Sequence, residues 1–501
     1  MKFIKLILLS TGLLCAHLQL NAQNYEDFAL LFSQNSRGGT ARILGIGGSA
    51  TALGGDLSSA IINPAGLGFI NRSEFTFSTQ LDFLNSTSTY IGNVEDDFKL
   101  NFNIPQMGVV LKTSGNDSGF KGGSFGISVN RVKSFQNNVF YEGQNYYTDL
   151  NNFTPLVPGT FPDLAEFSVD DFANNGRSSI ADLAFETYLV DEFFEVIAPG
   201  DTSFFVDRSF EFPEADFPVN QRESIETEGA QYQTNISYGA NFYDKIYLGA
   251  GLGFTSINYR STRVFTETPT DAILNSVTLT DIREITGVGF NATFGMIVRP
   301  INEVSLGVSY TTPTWTTLED QGTLRMTTDF NNPPGGASNT NSSSIDFLPF
   351  SFDLRTPSKF NVGGAIFLGK NGFLTGDVEF INYESNRFSA TGESFSFEND
   401  FIRENYQNVV NYRFGGEFRY EFLRFRAGYS HMGDPAEGLD DLDRSIDALS
   451  FGLGMRFSEY FADLAVVSSS TEASLSPYPN APLVALDNES TTVTLTLGFK
   501  F

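Results

Sequence analysis

The chain has 501 residues and a formal net charge of −28, from 59 acidic against 31 basic residues. That balance excludes nucleic acid as a partner, because binding it relies on Lys and Arg neutralising phosphates. One cysteine and two histidines leave no cast for a catalytic triad, a His-ligated zinc or thiol chemistry. No Asp or Glu pair stands out for carboxylate catalysis, so neither an enzymatic step, a metal site nor a cofactor is expected.

At the N-terminus, Lys2 and Lys5 precede the apolar run Leu6 to Leu14, which is far short of the roughly 20 apolar residues that span a bilayer. Small and polar residues follow, and cleavage after Ala22 defines a secretory signal peptide over 1–22. Cys15 follows Leu14, where lipidation wants a small residue, so a lipoprotein is disfavoured. The leader takes Cys15 and His17 with it, leaving His431 as the one histidine and a mature chain held together by packing or strand pairing. No later stretch reads as a transmembrane helix. An exported chain without one is soluble, or it crosses a membrane as a closed barrel, the other fold that satisfies its backbone in lipid.

Residues 23–72 do not alternate and include SRGGTARILGIGGSATALGGDLSSAIINPAGLGFINRS (36–73), dense in Gly, Ala and Ser. Gly45-Ile46-Gly47-Gly48 hints at a nucleotide loop, but it follows no strand and lacks the Gly-Lys-Ser/Thr ending. Asn63-Pro64 marks a tight turn.

From EFTFSTQLDF (74–83) onward the chain is two-faced. In GISVN (126–130), LGAGLGF (248–254), GVGFNATFGM (287–296), VSLGVSY (304–310) and SFGLGM (450–455) residues alternate strictly, the mark of strands with two different faces. One face carries Phe, Leu, Val, Ile, Met and Tyr. The other carries Gly, Ser, Thr and Asn, with Gly249, Gly251 and Gly253 aligned on one strand and Gly287, Gly289 and Gly295 on another. A soluble sandwich presents Lys and Glu on its outer face, whereas a small, nearly uncharged face suits the inside of a membrane barrel. The glycine-rich segment 23–72 then fits as a plug packed on that inner wall.

Short links at SGNDSG (114–119), FYDK (242–245), RPIN (299–302), LGKNG (368–372), YEF (420–422) and FSEY (457–460) alternate with long polar insertions near 85–100, 135–225, 262–278, 328–345, 388–403, 432–445 and 470–488. Short turns belong on the periplasmic side and long loops outside. The count predicts an all-β, transmembrane antiparallel β-barrel of about fourteen strands over 73–501. The largest extracellular loop is 135–225, in which Ile180, Leu183, Ala184 and Tyr188 fall at helical spacing. It is either a lid packed on its own apolar residues or an apolar patch that first collects a greasy ligand; its acidic residues show no EF-hand spacing for Ca²⁺. The last strand, TTVTLTLGFKF (491–501), puts Val493, Leu495, Leu497, Phe499 and Phe501 toward lipid, and Thr492, Thr494, Thr496, Gly498 and Lys500 toward the lumen.

In RGGTARILGIGGSATALGGDLSSAIINPAGLGF, the residues Gly38, Gly39 and Arg42, then Gly54, Gly55 and Asp56, and above all Asn63-Pro64-Ala65-Gly66-Leu67 resemble the N-terminal hatch of the FadL family of outer-membrane transporters for long-chain fatty acids and other hydrophobic compounds. The leader, the strand count and a terminal aromatic extend the resemblance over the whole chain. It implies a multi-pass barrel in a bacterial outer membrane that contacts outer-membrane lipid. Phe499 and Phe501 resemble the C-terminal signal read by the barrel-assembly machinery. The resemblance further implies capture of a hydrophobic small molecule or lipid among the extracellular loops, a pocket against the hatch, and lateral release where the third strand is kinked; Gly122 and Gly123 are the candidates for that kink. An alternative role is a FadL-like barrel that binds other outer-membrane proteins as a subunit of a secretion or assembly complex. The chain departs from the family in Gly54-Gly55-Asp56, where an acidic pair is common, and in its long acidic loop.

Overall fold

A computed structural model describes residues 25–34, 38–116, 119–146, 180–198, 201–208, 219–269, 273–436, 442–478 and 481–501. The expected leader and much of the expected loop 135–225 lie outside these. The strands are β1 (Glu74–Tyr90), β2 (Asn93–Ser114), β3 (Phe120–Ser134), β4 (Asn137–Asn145), β5 (Val190–Ala198), β6 (Asp201–Arg208), β7 (Val219–Phe242), β8 (Ile246–Thr268), β9 (Leu274–Ile301) and β10 (Val304–Thr311). They continue with β11 (Trp315–Phe330), β12 (Thr340–Arg355), β13 (Lys359–Phe367), β14 (Gly372–Asn382), β15 (Arg387–Ser389), β16 (Asn408–Tyr420), β17 (Leu423–Met432), β18 (Ile446–Arg456), β19 (Tyr460–Leu475) and β20 (Val484–Lys500).

Apart from the separate β5–β6 hairpin, these form one sheet of 18 strand segments in which β20 pairs antiparallel with β1 and closes the cylinder. Four barrel strands are each broken in two, as β3/β4, β10/β11, β12/β13 and β14/β15, so the wall is a 14-strand barrel. Closure is what lipid demands, since an open sheet edge there leaves backbone groups unsatisfied.

The expected two faces are present. Leu252, Phe294, Phe414, Phe451, Leu497 and Phe499 are exposed on the outside, while Thr494, Thr496, Asn235 and Ser305 are buried within. The inner face is more charged than the alternating segments suggest, and several of its charges are paired. Arg426 bridges Glu417 at 2.7 Å and Asp463 at 2.8 Å, and Arg413 bridges Glu379 at 2.8 Å.

The six short turns lie where expected, but the expected loops are shorter. Residues 85–100 form no loop: β1 and β2 rise as one hairpin closed at Ile91 (φ 50°) and Gly92 (φ 85°), both left-handed as a two-residue hairpin turn requires. Within 135–225 the structure has β4, the β5–β6 hairpin and the start of β7. The apolar alternation ends where lipid ends, while backbone pairing continues above it with polar residues on both faces, as along Asn220–Glu228. The expected helix in that region is present as Ile180–Glu186. Its Ile180, Leu183 and Ala184, with Leu189 after it, pack on Phe265, Leu274, Met326, Phe330 and Tyr478 at the barrel mouth.

An arginine in the middle of the lipid-facing band costs about 2–4 kcal/mol. Leu453, exposed outside between Phe425 and Leu464 on the flanking strands, is such a position. Leu453→Arg is expected to lose that much in equilibrium unfolding from lipid vesicles.

Candidate functional site

The Gly/Ala/Ser-rich segment lies inside the barrel and packs on its inner wall by backbone contact. It folds as α1 (Tyr25–Ser33), α2 (Ala41–Leu44), α3 (Ser59–Ile62) and a 3-10 helix (Pro64–Phe69). Asn63 does two tasks. Its Oδ1 accepts from the Ala65 N–H and caps the 3-10 helix, which Pro64 enters at its first turn. Its Nδ2 donates to the carbonyls of Thr51 (2.7 Å) and of Val308 on β10 (3.2 Å).

Wall glycines make room for this. A Cβ at Gly239 or Gly249 would strike Pro64, one at Gly295 would strike Asn63, and one at Gly307 would strike Thr51. Gly415 and Gly428 stand likewise against Ile46. Of the glycines aligned in the sequence, Gly249 and Gly295 touch the hatch, whereas Gly251 and Gly253 give space to Ser237 and to Gln233 and Asn291.

The short helices leave many backbone groups without internal partners, and wall side chains supply them. Asp377 on β14 accepts from Ala50 N–H and Thr51 N–H, both at 2.9 Å, and from the Thr51 hydroxyl at 2.8 Å. Thr496 accepts from Ala41 N–H and Ser450 from Gly47 N–H. Sequence reasoning missed these wall residues, because one Asp among many carries no local signal.

The remaining motif residues bond among themselves and to several wall strands. Asp56 accepts from the Thr40 hydroxyl and Ser58 N–H, and Ser58 Oγ accepts from Thr40 N–H. Arg42 donates to the Gly55 carbonyl and lies 3.8 Å from Asp56 and 4.0 Å from Glu417. Burial would lower the Arg42 pKa, but Glu417 and Asp56 more than reverse this and keep the guanidinium charged. Gly54 and Gly66 face Phe69 and Ser59, Leu67 is buried under Gly126, and Gly38 rests on the Arg131 carbonyl.

Arg131 stands at a break in the wall. The β2–β3 ladder runs from Ser114↔Gly122 to Gln106↔Asn130 and ends there, although both strands continue upward. Two local features account for this. Pro105 has no N–H for a ladder and sits in a β2 bulge opposite Ser78–Gln80. β3 itself is bulged between Arg131 and Lys133. Above the break β4 pairs with β7 and crosses behind the β1–β2 hairpin, where Ser88 Oγ donates to Phe140 O and Asn93 Nδ2 to Glu142 O. Arg131 is braced from inside by Asp82 at 2.8 Å. Gly122 (φ +112°) does form a bulge with Lys121, but it and Gly123 keep partners on both β2 and β7. The loss of pairing is therefore higher on the strand than Gly122–Gly123.

Beside the break lies an aromatic chamber, in which α1 is lodged. Tyr25, Phe28 and Phe32 pack with Phe135, Tyr259, Phe352, Phe388 and Phe395. Phe32 lies 5.7 Å from Phe135, centroid to centroid, and Phe135 lies 5.4 Å from Tyr259. Arg283 lies over Phe28 and is ion-paired with Asp320. Between chamber and hatch is a cavity of about 80 Å³ lined by Gly38, Ile62, Val132, Asn291, Thr312 and Lys359 among others. Among the described residues, no group of three or more His, Cys, Asp or Glu is arranged to hold a metal ion.

The architecture is that of the FadL fold, a closed 14-strand β-barrel. A Pseudomonas aeruginosa FadL homologue superposes with TM-score 0.51 at 12% identity, covering 93% of this chain and 98% of that one. The Pseudomonas putida toluene transporter TodX gives TM-score 0.51 at 12% identity with 93% and 99% covered, and the Ralstonia pickettii toluene transporter TbuX 0.52 at 12% with 93% and 99%. No protein-family description matches the sequence, and no curated protein matches it significantly.

Asp377→Ala leaves three buried hatch donors without their acceptor, each costing about 1–3 kcal/mol. Hydrogen exchange at Ala50 and Thr51 is expected to accelerate at least tenfold, with the exchange of outer-wall strands unchanged.

Proposed function

We propose that the chain is an outer-membrane channel for passive uptake of hydrophobic small molecules, which enter from the extracellular side, occupy the aromatic chamber above the hatch and leave sideways into the bilayer. The observation that carries it is the wall gap above Gln106–Asn130 lying directly beside that chamber, with Phe135 belonging to both. Downward passage is closed by a hatch bonded to the wall on many sides. The gap opens at membrane height, because Ile104 and Phe102 face outward there, Phe102 opposite lipid-facing Leu81.

The chamber chemistry favours uncharged aromatic or aliphatic compounds over a carboxylate. Arg283, which lies over Phe28, is already ion-paired with Asp320, so a ligand carboxylate among the aromatic rings would have to compete for it, and Lys359 lies away from those rings in the cavity lining below. This agrees with the toluene transport stated for two proteins of the same fold. α1 fills the chamber, and a ligand must displace or share space with Phe28 and Phe32.

A second role, as a protein-binding subunit, is favoured by one feature. The β2 edge from Asn93 to Pro105 pairs with no strand among the described residues, and Val94 and Phe98 are 60% and 55% exposed near its top. An unpaired edge is a template for a partner strand.

Phe32→Cys/Phe135→Cys in a Cys15→Ser background tests the first role, because the two rings are in contact and a reductant-cleavable bis-thiol crosslinker can bridge the two positions. Crosslinked cells are expected to lose most uptake of a monoaromatic hydrocarbon, and reductant to restore it. Uptake indifferent to the crosslink, together with recovery of the native protein in a stoichiometric complex with other proteins, would transfer the role to protein binding.

A further inference from the structure

On the outside of the barrel, five side chains on five strand segments stand in one line. The pairs Phe254↔Phe290, Phe290↔Trp315, Trp315↔Arg355 and Arg355↔Arg387 are direct cross-strand partners on β8, β9, β11, β12 and β15. Phe254, Phe290 and Trp315 are 50%, 56% and 43% exposed, and Phe290 stacks on Trp315 at 5.3 Å. Below the line the outward residues are apolar, as at Leu252, Phe294 and Phe360; the row above it is polar at Ser256, Thr317, Asp353 and Ser389, with Val288 alone apolar among them. The line therefore marks the upper edge of the lipid-facing band, at the level of outer-leaflet headgroups.

The wall is concave here. Just below the line the strands are interrupted at 312–314, 356–358 and 383–386, and the line borders an open groove of about 910 Å³.

Two arginines directly opposite one another repel. Among the described residues, no carboxylate forms an ion pair with Arg355 or Arg387, and Asp353 in the next row is engaged by the Thr317 hydroxyl at 2.7 Å. Arg387 is nevertheless held in place, its Nη1 donating to the carbonyls of Glu384 and Asn386. A positioned guanidinium beside an unpaired one presents a fork for a phosphate, and the aromatic half of the line offers a lane for an acyl chain.

We propose that this groove binds one lipid of the outer leaflet through its net-anionic phosphate headgroup, with the phosphate between Arg355 and Arg387 and a chain lying along Trp315, Phe290 and Phe254. A free anion would use the arginines alone. The bound lipid offsets the arginine repulsion and splints the wall where three strands are interrupted.

Trp315 is the only tryptophan of the chain, so its emission reports the groove directly. The protein is placed in phosphatidylcholine nanodiscs doped with increasing lipid A or with dephosphorylated lipid A. A saturable change in Trp315 emission with lipid A, absent with the dephosphorylated form and unaffected by inorganic phosphate, is the expected result. Arg355→Gln/Arg387→Gln should need at least about tenfold more lipid A, as loss of charge-assisted hydrogen bonds implies. Arg260→Gln, on the same outer face but paired with Glu284, should behave as the parent. Equal response to both lipid forms overturns the proposal without recourse to any variant. A response reproduced by inorganic phosphate alone, or retained in the double variant, overturns it as well.

Discussion

Backbone-to-backbone contact between the hatch and the inner wall is the constraint on which the rest of the structure depends. A barrel of this width has an interior that must be filled, and large apolar side chains there would leave its buried polar side chains without partners. The chain instead fills it with main chain. Glycines on seven or more wall strands remove the Cβ atoms that would hold Pro64, Thr51 and Ile46 away, and Asp377, Thr496, Ser450 and Ser305 satisfy the polar groups so delivered. Each half fits only the other. The short helices could not stand alone, because four-residue helices have no intrinsic stability.

That arrangement also supports the wall where the β2–β3 ladder ends. Above Asn130 the β2–β3 ladder is missing, yet the groups beneath it are bound inward: Gln106 to Asn130 and to Ser58 of the hatch, Arg131 to Asp82, and β4 to β1–β2 through Ser86 and Ser88. The hatch is thus both floor of the chamber and brace of the gap. Any movement of Gly38–Thr40 would reach Asn130 through Ser58 and Gln106, a contiguous chain of hydrogen bonds from hatch to rim.

The barrel was legible in the sequence because lipid imposes a period of two with a greasy face, and because small residues opposite that face are abnormal in water. The turns were legible for the same reason, since alternation stops at each. Loop lengths were not. Once the strands rise above lipid, nothing forces one face to be apolar, and pairing continues in silence through 85–100 and 219–228. The hatch was legible in Asn63-Pro64-Ala65-Gly66-Leu67, where Asn63 caps and Pro64 starts a helix. The end of the β2–β3 ladder was not: it follows Pro105 in one strand and a bulge at Val132 in the next, two features 27 residues apart that meet only in the sheet, while the locally conspicuous Gly122 and Gly123 form a bulge that stays paired on both sides.

Pro105 has a further effect. Below it Gln106 and Val110 face in, so even-numbered residues would face in above it as well; the bulge shifts the alternation by one residue and turns Phe98, Leu100, Phe102 and Ile104 outward. A one-residue slip moves a whole apolar set to the other face. Without the bulge these four would enter the lumen, and the outward row of Lys99, Asn101 and Asn103 would meet lipid beside the gap. With it, the rim of the gap is apolar on the membrane side and polar within. The same residue that ends the ladder thus also sets which face of β2 is apolar above it.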